Sequence, residues 1–152
     1  MHPRYLSLLA AFAAAVPAHV YAHCQVPCGI YDDASRFATL EEHVTTVEKA
    51  MKQITELSAA EKPDYNQLVR WVNNKDQHAD ELSEIVTYYF MAQRVKPADP
   101  NDKAAFDKYT AQLTTLHGIL VSAMKAKQTT DLAHVAQLHK LIDQFRALYT
   151  AK

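Results

Sequence analysis

Glycine is almost missing from this chain, with two in 152 residues, and cysteine is equally scarce, also with two. Few glycines beside many alanines and other good helix formers argue against a sheet-rich fold and for an all-α one. Two cysteines cannot build a disulfide framework; they make one bridge or serve one site. No Cys-x-x-Cys-His occurs, which excludes c-type haem attachment. No Glu-x-x-His occurs, which argues against a ferritin-like di-iron bundle, and no His-x3-His pair falls among the histidines of the expected helices, His43, His78, His117, His134 and His139. Neither sign of charge dominates: 16 Lys+Arg stand against 17 Asp+Glu. A nearly neutral chain gives no case for nucleic acid or an anionic membrane as partner. No repeat, low-complexity tract or interdomain linker interrupts the sequence, and its length suits one domain.

The longest apolar run lies at the start. Arg4 precedes Leu6 to Val16, and Val20-Tyr21-Ala22 places small or permitted residues at the −3 and −1 positions of a cleavage site. The run is too short to span a membrane. Residues 1–22 therefore read as a leader removed after Ala22, and the chain as exported, periplasmic or extracellular, with no membrane attachment after processing. A cut after Ala18 competes, and a leader acting as a prosequence would instead leave the protein cytoplasmic. Without the leader, Arg4 drops out and the net charge becomes −2, from 15 basic and 17 acidic residues.

The body that follows carries four apolar stripes at helical spacing. The first, expected over 34–57, runs through Phe37, Leu40, Val44, Val47, Met51 and Ile54, with Asp32 or Asp33 as cap. The second, from Pro63-Asp64 to about Arg94, uses Tyr65, Leu68, Val72, Ala79, Leu82, Val86 and Tyr89. Its middle, Asn73 to His78, is more polar than a core seam and is either solvated or set beside a site. The third has Asp99 as expected cap and Pro100 at its first position. It uses Phe106, Tyr109, Leu113, Leu116, Leu120 and Met124, and Gly118 inside it marks a close helix contact. The fourth, capped by Thr129 or Thr130, uses Leu132, Val135, Leu138, Ile142, Phe145 and Tyr149. Short breaks between four amphipathic helices imply an antiparallel four-helix bundle over 34–152. His43, His78, His117, His134 and His139 fall on these helices, each read singly as a surface or satisfied histidine.

Both cysteines sit in the segment between leader and bundle, 23–33, which begins His23-Cys24-Gln25-Val26-Pro27-Cys28-Gly29-Ile30-Tyr31. A cut after Ala22 makes His23 the first residue, with a free α-amine and an imidazole. The Cys24 amide then lies between that amine and the Cys24 thiol. A metal held by the amine and the Cys24 thiolate can displace the amide proton and bind the nitrogen, and Cys28 adds a second thiolate. The set is planar, with two nitrogens and two sulfurs, and His23 imidazole is an axial candidate. Planar N/S coordination points to Ni(II) or Cu(II), since zinc prefers a tetrahedron. Pro27 suits a tight reversal, and Gly29 permits backbone conformations closed to other residues.

These residues resemble the nickel hook of the nickel-containing superoxide dismutases, His-Cys-x-x-Pro-Cys-Gly-x-Tyr at a processed N-terminus, matched here by His23, Cys24, Pro27, Cys28, Gly29 and Tyr31. The resemblance implies one nickel ion per subunit, with His23, Cys24 and Cys28 as metal ligands. It implies disproportionation of superoxide by Ni(II)/Ni(III) cycling, with Tyr31 limiting access and ordering a proton-bearing water at the open face. It also implies a homohexamer of four-helix bundles and a leader-processing peptidase. A carboxylate and an arginine of the bundle would orient the His23 imidazole. Glu41 and Glu42 are the carboxylate candidates, and His78 stands where the arginine is expected. Two other readings use the same residues: an exported, non-enzymatic Ni/Cu-binding bundle, or a structural bundle with a Cys24–Cys28 disulfide and no metal.

Overall fold

Aspartate starts three of the four helices, each time by the same bond. In the computed structural model, which describes residues 32–151, Asp32 accepts from the Ser35 amide at 2.6 Å, Asp64 from Gln67 at 3.1 Å and Asp102 from Ala105 at 3.1 Å. Each carboxylate satisfies an amide that has no partner within the first turn. The helices are α1 (Asp33–Ser58), α2 (Tyr65–Glu84, wound on as a π-helix over Ile85–Arg94), α3 (Lys103–Gln128) and α4 (Ala133–Thr150). Among the described residues there is no strand, and no helix is long and apolar enough to cross a membrane. Residues 1–31, which include the expected leader, His23, Cys24, Cys28 and Tyr31, lie outside the described residues.

Contacts between helix ends fix the directions. Asp33, at the start of α1, meets Arg94 at the end of the π-helical segment and Tyr149 at the end of α4. Lys75, early in α2, reaches the carbonyls of Lys127 and Thr129 at the end of α3. The helices therefore run up, down, up, down, as the four stripes and short breaks imply. The core is Leu40, Val44, Val47, Met51, Leu82, Val86, Phe90, Leu116, Ile119, Leu138, Ile142 and Phe145, none measurably exposed. Phe90 sits centrally, with ring centroids 4.9 Å from Phe37 and 5.0 Å from Phe145. Such edge-on and tilted aromatic packing adds to simple area burial.

The structure differs from the stripes where polar residues enter the seam. In α2, Tyr65 is 73% exposed and Val72 is exposed too, while Lys75, in the polar middle, is buried. Its ammonium donates to the carbonyls of Lys127 at 2.6 Å and Thr129 at 3.2 Å. It satisfies carbonyls that the end of α3 leaves open. Burial depresses the Lys75 pKa, partly offset by Asp76. In α3 the seam is rotated toward Gln112, Thr115, Ile119, Ala123 and Ala126, and Met124 is half-exposed. Thr115 returns its hydroxyl to the Ala111 carbonyl at 2.8 Å and Gln112 donates to that of Leu148 at 3.3 Å, which makes their burial tolerable. Small residues here let α3 approach α4: a Cβ at Gly118 would lie 3.3 Å from Leu141 Cδ1.

Two caps also differ from expectation. Asp102, not Asp99, caps α3; Asp99 accepts from Asn101 N at 2.9 Å in the preceding turn. Leu132 occupies the α4 cap position without a side-chain bond, and Asp131 accepts from Ala133 N at 2.9 Å. Thr129 instead accepts from the Asp131 amide at 3.1 Å. The π-helical end of α2 closes with Val95 N–H donating to the Phe90 carbonyl, five residues back, at 2.9 Å. This wider winding buries neighbours together, Ile85 with Val86 and Tyr89 with Phe90, and carries Arg94 to Asp33.

Candidate metal centre and its supports

At the start of α1 the bundle carries a carboxylate hub. Asp33 follows the hook by two residues. Its Oδ1 accepts from Tyr89 OH at 2.8 Å and from Arg94 Nε at 2.8 Å, and its Oδ2 accepts from Tyr149 OH at 2.9 Å. Arg94 Nη2 adds a further contact at 2.8 Å. Burial alone would raise the Asp33 pKa, but the bonds from Tyr89, Tyr149 and Arg94 outweigh it, and the net shift is downward. The same hub pushes Tyr89 up to about 12, first by burial and then by its bond to Asp33. Tyr149 is raised for the same reasons. Asp32 serves as the cap, which leaves Asp33 to tie the first turn of α1 to the ends of α2 and α4. The sequence offered both aspartates only as caps.

Of the residues expected to orient the His23 imidazole, which lies outside the described residues, Glu41 and His78 do not meet, whereas Glu42 lies near enough to His43, the contact of His78, to favour its charged form. Glu41 faces α4: its Oε2 lies 2.7 Å from His139 Nδ1, and its Oε1 accepts from Arg146 Nη2 at 3.3 Å. Glu42 is exposed. His78 faces α1, with its Nδ1 2.9 Å from His43 Nδ1. Glu41 and His78 thus belong to different helix contacts, one to α1 with α4 and the other to α1 with α2.

Around His78 the structure forms a group that the sequence reading missed. His43 on α1 and His78 and Glu81 on α2 present Nδ1, Nδ1 and Oε2 toward one another. Glu81 Oε2 is 3.5 Å from His43 and 3.6 Å from His78. Among the described residues this is the one group of three with metal-ligand spacing. Burial lowers the His43 pKa; Glu81 opposes that shift and His78 adds to it. The available signal was His78-x-x-Glu81, which puts imidazole and carboxylate on one helix face. The third member comes from another helix, and pairing between helices is not written in local spacing.

A family model described as nickel-containing superoxide dismutase matches residues 18–152. The match spans the hook segment and the whole bundle. No curated protein and no solved structure matches the chain.

Proposed function

The chain belongs to the nickel-containing superoxide dismutase family, an oxidoreductase family with nickel as cofactor, and we propose that its N-terminus, freed by cleavage after Ala22, carries the activity. The observation behind this reading is the intact hook, His23 to Tyr31, inside a family match that continues to the end of the chain.

The donor set fits nickel. The His23 amine and imidazole, the Cys24 amide nitrogen and thiolate and the Cys28 thiolate would hold the ion, a nitrogen and sulfur set that suits nickel. Anionic thiolates and an amidate lower the cost of the higher oxidation state. When bound, nickel supplies the one-electron Ni(II)/Ni(III) couple, against which one superoxide is oxidised to O2 and a second, with two protons, is reduced to H2O2. The protein residues supply the rest. Cys24 and Cys28 are thiolates next to a peroxide product, so the hook must be folded closely enough to protect them from oxidation. Tyr31 narrows access and orders the water that carries a proton. Asp33 fixes the root of the hook to three helix ends, so the nine residues from His23 to Tyr31 start from a rigid point and span at most about 30 Å. The remaining reading is of a leader 1–22 directing export, a peptidase that removes it, and a hexamer that shelters the hooks.

The test inserts one alanine between Ala22 and His23. Every side chain is kept, but the α-amine moves away from Cys24. We expect loss of stoichiometric nickel and of superoxide disproportionation in the processed variant. Full activity would refute the ligand set. Retained nickel binding without turnover in the unaltered processed protein would indicate a metal carrier. A metal-free mass two hydrogens below that of the reduced chain 23–152 would indicate the disulfide.

A further inference from the structure

We propose that His43, His78 and Glu81 form a second divalent-cation site whose three donors all come from the bundle. Nδ1, Nδ1 and Oε2 stand 2.9, 3.5 and 3.6 Å apart. From those edges, a point in their plane lies about 1.9 Å from all three atoms, and a displacement of about 0.8 Å off the plane makes each distance about 2.1 Å, the bond length of zinc to imidazole and carboxylate. The three donors are therefore spaced for one face of a coordination sphere, and the two imidazoles, whose ring centroids stand 5.1 Å apart with the Nδ1 atoms facing each other, would turn modestly to aim at the ion.

Hydrogen bonds within the group engage the two rings and not Glu81 Oε2. One proton can lie between the two Nδ1 atoms at 2.9 Å. Glu81 Oε2 then stands beyond good hydrogen-bond length from both rings. A cation satisfies all three atoms at once. Gln77 donates to Glu81 Oε1 at 2.8 Å, which turns Oε2 toward the imidazoles. His43 is largely enclosed at 12% exposure, while Glu81 at 39% leaves a route for the cation and for water on the open positions. Two imidazoles and one carboxylate suit Zn(II), Ni(II) or Cu(II) over Mg(II) or Ca(II), which take oxygen donors.

The site does not depend on the nickel reading of the hook, so the test removes the hook thiolates. The full chain carrying Cys24→Ser and Cys28→Ser is titrated with Zn(II) by calorimetry, with Mg(II) as control. We expect one Zn(II) per chain and no Mg(II) response. Adding His78→Gln or Glu81→Gln removes a direct ligand and should weaken Zn(II) binding at least as much as the roughly 10–100-fold that loss of a ligand's outer hydrogen-bond partner costs. Glu81 is exposed enough that Glu81→Gln keeps the fold, which circular dichroism verifies. X-ray absorption of the zinc-loaded protein should show nitrogen and oxygen at about 2.0–2.2 Å and no sulfur. Absence of stoichiometric zinc, or zinc binding that neither substitution changes, would overturn the proposal.

Discussion

Replacing Asp33 with alanine removes the acceptor shared by Tyr89, Tyr149 and Arg94. The Arg94 pair is partly solvated, with side chains 42% and 32% exposed, so it contributes at most about 1 kcal/mol. The tyrosine bonds are better protected, since Tyr89 is only 6% exposed, and each contributes about 1 kcal/mol net. The sum is about 3 kcal/mol, or roughly 10 °C in Tm for a bundle of this size. Urea unfolding of the metal-free protein, followed by circular dichroism at fixed protein concentration, measures it. The pH dependence has a defined sign. The Asp33 pKa is lowered on folding from an ordinary 3.8. Its contribution is therefore fully present above about pH 4 and is lost as pH falls through the folded value. The gap between wild type and Asp33→Ala should be widest near neutral pH and shrink toward pH 3. A variant within 0.5 kcal/mol of wild type at pH 7, a difference typical of about any surface substitution, would refute the hub. A gap that stays constant with pH would refute the ionised carboxylate as its source.

Three further outcomes follow from the packing. Phe90→Ala should cost about 3–5 kcal/mol, because Phe90 is fully buried between Phe37 and Phe145; unfolding by urea with a loss under about 1 kcal/mol would show that the aromatic cluster can collapse. Lys75→Met should destabilise by about 1–3 kcal/mol by leaving the Lys127 and Thr129 carbonyls without their donor, and hydrogen exchange should speed at the α3–α4 connection; unchanged exchange would count against the tie. Gly118→Ala should raise Tm slightly, since a helix-propensity gain of about 1 kcal/mol exceeds the small shift asked of the partly exposed Leu141; a lower Tm would mean that α3 and α4 cannot part by a few tenths of an ångström.

Much of the fold was legible because helical periodicity is local. Phe37, Leu40, Val44, Val47 and Met51 in α1, and Val135, Leu138, Ile142 and Phe145 in α4, are core residues by spacing and by structure alike. The seams of α2 and α3 were less legible. There the inward face carries Lys75, Gln112 and Thr115, which hydropathy assigns to solvent but which reach carbonyls of other turns or helices. The widened end of α2 was hidden too, since five-residue backbone bonding leaves no spacing signature within an apolar run.

The sequence by itself determined the helical class, the helix count and the family, and the proposed hook, His23 to Tyr31, is legible there because its residues are near neighbours along the chain. Only the tertiary structure decided what lies between helices. It turned Glu41 toward His139 and Arg146, made Asp33 a junction of three helix ends, and set His43 against His78 and Glu81. The physical reason is the same in each case. Neighbours on one helix are fixed by its 3.6-residue turn, whereas partners on different helices are fixed by how the helices rotate to bury their faces.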